Sequence, residues 1–214
     1  MSNVSVYVPL LLRGTLTTIV AWLTSCAISQ VVGSCLGISS SRYLNYKISH
    51  IIRIYTFIAK GIPAYVQILI AYFVLPALLT IQVPGFIAAT GALCFCSSGY
   101  MTEIIRAGIN AVPRGQWEAC KALGYPMIST VVRIIIPQIA ANALPAIFGE
   151  FEQLLKSTSL LATIGVMDLT RAGMNIISRE LNPVSIYFLI ACIYLFLSGL
   201  LQCFMIYLEK RKTL

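Results

Sequence analysis

Two groups of residues in this 214-residue chain have types and spacings that could do chemistry. The first is Glu150, Glu152, Lys156, Thr158 and Ser159, ionisable and hydroxyl side chains inside a stretch that is otherwise largely apolar. A charge placed in hydrocarbon costs about 2.5 to 3.5 kcal/mol on insertion scales, so Glu150 and Lys156 are expected to face a cavity or each other. Thr158 and Ser159 add neutral donors and acceptors. An internal ion pair competes with the cavity reading, because Glu152 and Lys156 are four apart with the acid first, the favourable helical order. The second group is Gly115, Glu118, Ala119, Ala122 and Gly124, in a polar connector between apolar segments. Small residues let a short helix from about Gly115 to Leu123 press close to a partner, and Gly124 offers a chain reversal at its end. Pro137 suits the first turn of the next helix. The same stretch also fits an amphipathic connector lying on a membrane surface, and spacing alone leaves both readings open.

Positioning these groups falls to an all-α integral membrane bundle. Apolar residues make up 58% of the chain and charged ones 10%, with a mean hydropathy of +0.87, outside the range of a soluble domain. A spanning helix needs about 20 mostly apolar residues, which leaves room for about five. They are expected from about Gly14 to Ile38, Ile54 to Leu75, Val83 to Ile105, Pro137 to Ile164 and Val184 to Leu208. Long apolar runs without alternation, such as Ile186 to Leu201, exclude a β-barrel. The longest polar connector, from about Arg106 to Arg133, is too short to bury a core of its own, so residues 1–214 are read as a single domain.

Charge then sets the orientation. Arg42, Lys47 and Arg53 fall in the first connector, none in the second, and Arg106, Arg114, Lys121 and Arg133 in the third; in the fourth, Arg171 and Arg179 are offset by Asp168 and Glu180, and Lys210, Arg211 and Lys212 end the chain. Basic residues accumulate on the cytoplasmic side, which places the first and third connectors and the C-terminus inside and the N-terminus outside. The net charge of +8 is spread over separate connectors and gives no basis for a nucleic-acid partner. Leu23-Thr24-Ser25-Cys26 resembles a lipoprotein processing site, but the apolar run continues past it and is expected to remain a span.

Several chemistries are excluded. Six of the seven cysteines sit in apolar spans, and no pair has the two-residue gap of zinc or redox sites, so they read as packing residues and no metal is expected. His50, the single histidine, lies in a basic connector. There is no phosphate-binding Gly-x-x-x-x-Gly-Lys-[Ser/Thr] loop and no Gly-x-Ser-x-Gly element. A secondary transporter often carries inverted repeats, and none is visible.

Glu118-Ala119-Cys120, Gly124 and Ile134-Ile135-Ile136-Pro137 resemble in spacing the EAA signature of bacterial ABC importer permeases of the polar amino acid group, with Cys120 in place of the second alanine. Tyr100 to Ile109 and Val112 to Glu118 resemble the segment leading into it. Lys60-Gly61-Ile62-Pro63 is similar to an Arg-Gly-Thr-Pro element, Leu154 to Leu160 to Leu-Leu-Lys-Asp-Thr-Ser-Leu, and Ile164 to Arg171 also follows the family. Departures are Lys60, Ile62, Ser157, and Glu152 where the family has an apolar residue.

The resemblance implies a permease subunit that switches between inward- and outward-open states. It implies two separate ABC ATPase subunits, a second copy or paralogue of the permease, and an extracytoplasmic amino-acid-binding protein, all at the bacterial inner membrane. The chain itself would bind no cofactor and would be no enzyme, ATP being used by the partner ATPase. Residues about 109–137 would form the coupling loop, with Gly115, Glu118, Ala119, Ala122 and Gly124 in its docking helix, where Glu118 pairs with a basic partner or caps backbone N–H groups. For a zwitterionic amino acid, Glu150 would contact the ammonium and Lys156 the carboxylate, with Thr158 and Ser159 donating further hydrogen bonds. A secondary amino acid transporter or a channel not driven by ATP is the alternative.

Overall fold

In the long first helix, α1 (Val4–Ser39), Gly33 and Gly37 stand one turn apart, and they decide how it meets its main neighbour. That neighbour is α5 (Gly85–Ala111). A Cβ at Gly33 would lie 2.5 Å from Met101 Cβ, and one at Gly37 2.8 Å from Ile105 Cβ. Residues 101 and 105 are also one turn apart, so two small-residue notches receive two large side chains, the close backbone approach that drives helix pairing in lipid. The computed structural model describes residues 4–40 and 46–212. Every regular element among them is helical.

The remaining elements are built around that pair. The second span is α2 (Tyr46–Gly61), a break at Ile62-Pro63, then α3 (Ala64–Leu69), a π-helical turn (Ile70–Val74) and α4 (Leu75–Leu79). The two limbs are bent by 97°. Proline disfavours helix at the residue before it and offers no N–H, so the ladder stops at Gly61-Ile62-Pro63. Gln67 Nε2 donates to Ala59 O at 2.8 Å and to Ile62 O at 2.7 Å, which satisfies carbonyls the break would strand.

After α5 come α6 (Arg114–Ala122), α7 (Met127–Thr130) and a second π-helical turn (Val131–Ile135). Then follow α8 (Ile136–Ser157), a 3₁₀ segment (Thr158–Ile164), α9 (Leu169–Glu180) and α10 (Pro183–Lys212). Helices α1 and α10 are each long and apolar enough to cross a membrane, and the two bent pairs raise the number to four. α5, whose 27 residues rise about 40 Å against about 30 Å of hydrocarbon, is also long enough to cross.

Three sequence expectations change in detail. The second span is a sharply bent element rather than one straight helix, and α2 begins upstream, so Arg53 is helical; Arg42 lies outside the described residues. The third helix runs to Ala111, beyond Ile105. The stretch after Ile164, expected only as a connector, holds amphipathic α9. Its N-terminus is capped by the Asp168 carboxylate, which accepts from Arg171 N at 2.8 Å and Thr170 N at 3.2 Å. Leu169, Ala172 and Ile176 pack against Leu11 of α1 and Ile186 and Ile190 of α10.

Packing runs the length of the bundle. One cluster, at the α9 end, is the one just described. A middle cluster joins Ala21 and Cys26 of α1, Ile68 of α3, Leu93 of α5 and Leu154 of α8. A third, at the α6 end, joins Ile105, Ile109 and Val112 to Ile135, Ile139 and Ala143. There α5 and α8 come so close that a Cβ at Gly108 would lie 2.7 Å from Ile139 Cγ2. The N-terminal half of α1 is therefore at the α9 end. Large apolar side chains such as Leu16, Val31, Phe188 and Leu195 stay exposed on the outside, as a lipid-facing coat requires.

Candidate functional site

On α8, Glu150, Gln153, Leu154 and Ser157 recur at i, i+3, i+4 and i+7 and share one face. On α5, Leu93, Cys96, Ser97 and Tyr100 repeat that spacing. These two faces and the break of the second span, from Lys60 to Ala64, enclose a cavity of about 340 Å³. That is within the range of small-molecule sites, about 300 to 1,000 Å³. Glu150 is half-buried, and among the described residues no cation lies within 4 Å of its carboxylate. Beside it the Ser97 hydroxyl is buried with no partner at hydrogen-bond geometry. An intramembrane carboxylate without a protein cation is costly unless water or a ligand completes it.

Lys60 is the cation on this cavity's wall. Its ammonium lies 3.9 Å from Glu103 Oε1 and 5.8 Å from the Tyr100 ring centroid. Gly99 makes room for it: a Cβ there would lie 2.8 Å from Ala59 Cβ and 3.3 Å from Lys60 Cγ. Glu103 has other partners, the Arg106 guanidinium and the Thr56 hydroxyl, which donates at 3.0 Å.

The residues singled out from sequence separate. Glu150 lines the cavity, whereas Lys156 is exposed and paired with Glu152, Nζ to Oε1 at 2.6 Å. Six residues of α-helix turn through about 600°, which leaves Lys156 roughly 120° around α8 from Glu150. Thr158 is fully buried and its hydroxyl donates to Leu155 O at 2.6 Å, while the Ser159 hydroxyl donates to Lys156 O at 2.8 Å. None of these three lines the cavity. Gln153, Ser157, Ser97 and Tyr100 do, and only the i, i+3, i+7 spacing pointed to them. A second hollow of about 460 Å³, between α3, α4 and α5, is lined by apolar side chains with Gln67 as its one polar group, so it offers no charge to a polar solute.

The connector forms the expected short helix, α6, within one residue of its expected ends. Gly115, Glu118, Ala119, Ala122 and Gly124 are all exposed, and Cys120 faces inward and is buried. Gly124 has φ +72°, in the left-handed region that glycine adopts freely. Tyr125 N donates to Cys120 O at 2.9 Å and Gly124 N to Lys121 O at 3.1 Å, closing the helix as a Schellman-type turn. The capping role expected of Glu118 is not made: Pro113 occupies the N-cap, no side chain caps the helix, and Glu118 sits in its middle, facing out. Leu123, Tyr125, Met127 and Ile128 leave large apolar area uncovered around the turn, too contiguous for a lone soluble surface. Beneath it Trp117, Lys121, Tyr125, Met127 and Thr130 line a cleft of about 420 Å³.

Comparison with known proteins places this architecture. The chain is 37% identical over 167 residues to the arginine transport system permease protein ArtQ of Bacillus subtilis, covering 77% of this chain and 74% of that protein. It is 29% identical over 208 residues to the glutamine transport system permease protein GlnP of Escherichia coli, covering 97% and 94%. A crystal structure of an amino acid ABC transporter with histidines superposes with a TM-score of 0.88 at 31% identity, over 98% of this chain and 97% of that one. Residues 33–214 match the family described as binding-protein-dependent transport system inner membrane component, and the chain belongs to that family.

Proposed function

We propose that this chain is the permease subunit of an ATP-driven importer of polar amino acids, and that its substrate passes through the cavity that Glu150 lines. The observation that carries the reading is an intramembrane carboxylate, without a cation of its own, on a cavity of amino acid size between α2, α5 and α8. A carboxylate in low dielectric is a strong partner for a substrate ammonium. Membership of the family implies a separate ATPase and a binding protein.

Features of the bundle support a finer assignment. The basic residues Arg114, Lys121 and Arg133 belong to the α6 end, which is therefore cytoplasmic. α10 leads from α9 towards that same end, so its basic tail is cytoplasmic and the start of α1 lies outside. Exposed α6 is the helix that seats in an ATPase groove, with Gly115, Glu118, Ala119, Ala122 and Gly124 available to the partner. The chain binds no cofactor, and the docked ATPase uses the ATP. A second copy or a paralogue closes the open side of the cavity, where Tyr100 and Gln153 are exposed, and an extracytoplasmic binding protein delivers the amino acid.

The test is uptake by liposomes holding the complete complex with its ATPase and binding protein, across charged and polar amino acids. Uptake should require ATP, and Glu150→Gln should lower it by about tenfold or more while leaving assembly intact. Uptake that proceeds without the ATPase would overturn the reading in favour of a secondary carrier or channel.

A further inference from the structure

We infer that Lys60 is the anchor for the substrate's carboxylate, and so the residue by which this permease distinguishes an amino acid from a plain amine. The inference rests on the amino acid reading above and extends it to the other end of the zwitterion. A solute carrying both charges needs a cation and an anion on one cavity, and Lys60 and Glu150 stand on the same one. Lys156, the cation nearer in sequence, is turned to another face of α8 and held by Glu152.

Three features make Lys60 available. Its contact with Glu103, at 3.9 Å, is at the long limit of an ion pair and partly exposed, where such pairs contribute little. Glu103 does not need it, since Arg106 and Thr56 hold the same carboxylate. The lysine stem is fixed instead at its base, laid across Gly99 at the break that Gln67 braces. A long flexible stem bearing a compact charge can then swing from Glu103 to a ligand without moving the backbone. The Tyr100 ring, 5.8 Å from the ammonium, keeps that charge on the cavity side. The competing role is structural, a cation in the last turn of α2 complementing that helix end.

Equilibrium binding to the purified permease–ATPase complex, with the binding protein omitted, separates the two roles. The probes are L-arginine against agmatine, which is arginine without its carboxylate, and L-glutamine against 4-aminobutanamide. Wild type should bind at least one of the amino acids about tenfold or more tightly than its decarboxylated counterpart. Lys60→Met should erase that preference by weakening the amino acid alone, Lys60→Arg should retain it, and Glu103→Gln should not reproduce the loss. Should Lys60→Met fail to assemble, the wild-type comparison still decides, since no preference for the carboxylate would overturn the inference. A preference that survives in Lys60→Met would also overturn it, yet leave the Glu150 site standing if Glu150→Gln abolishes binding. Binding of neither amino acid would overturn both.

Discussion

Replacing Gly124 isolates the contribution of one backbone turn to the docking role proposed for α6. An ordinary L-residue pays roughly 1 to 2 kcal/mol to enter the left-handed region that Gly124 occupies at φ +72°, asparagine less and a β-branched residue more. A Cβ at this position meets nothing within 4 Å, so crowding inside the chain adds no further term. The strain falls on the turn formed by Leu123 N to Ala119 O, Gly124 N to Lys121 O and Tyr125 N to Cys120 O, at 2.9 to 3.1 Å. A penalty of that size lowers occupancy of the native turn by a factor of roughly 5 to 30. Uptake and substrate-stimulated ATP hydrolysis should be measured side by side in liposomes for Gly124→Asn, Gly124→Ala and Gly124→Val. Asparagine should stay near wild type, alanine should fall modestly, and valine should lose both activities together, because a single docking equilibrium feeds both. Valine with both activities intact would refute the assignment of α6. Asparagine as damaging as valine would show that side-chain volume against the partner, rather than backbone conformation, governs the site.

Three further substitutions test the scaffold. Gly33→Leu should prevent α1 and α5 from closing, since even a Cβ there would lie 2.5 Å from Met101 Cβ, whereas Gly91→Ala in α5 meets open space and should hold or slightly raise stability; thermal melts of the detergent-solubilised protein compare them, and equal melting points would refute the notch argument. Gln67→Leu should cost about 1 to 3 kcal/mol, because the amide that donates to Ala59 O and Ile62 O is lost from a buried site, and denaturant melts that match wild type would show that the break needs no brace.

The parts of this molecule that sequence made legible are those with one-dimensional signals. Apolar run length signalled most of the helices, and Gly124 marked the end of the connector helix within two residues, but Pro137 did not mark a helix start: the next helix begins at Met127 and runs through the π-helical turn Val131–Ile135 into α8. What sequence left hidden depends on which way a helix faces. Glu150 and Lys156 share a segment, but only the helical phase shows that Gln153 and Ser157 accompany Glu150 while Lys156 does not. The partner wall, with Ser97 and Tyr100 on α5 and Lys60 on α2, comes from residues about 50 to 90 positions away, brought in by tertiary packing that no local spacing encodes. The bend at Ile62-Pro63 was written in the proline. Its depth was not, since the Gln67 brace lies four residues on and reads in sequence as an ordinary amide.

The close contact between Gly108 and Ile139 gives the bundle the mechanics of a pair of tongs. It ties α5 to α8 between the α6 end and the cavity. Helix α6 hangs from the end of α5 beyond that tie, and α8 starts on the other side of the same connector. The two helices then carry opposite walls of the cavity, Ser97 and Tyr100 on one arm and Glu150 on the other. With Gly108 as the fulcrum of such a lever, spreading the handles at α6 would draw the jaws together, and pressing them would open the jaws. The interlock of Gly33 and Gly37 with Met101 and Ile105 makes α1 part of the first arm, so a push on the exposed face of α6, all of its residues but Trp117 and Cys120, would pass to two interlocked helices rather than to one.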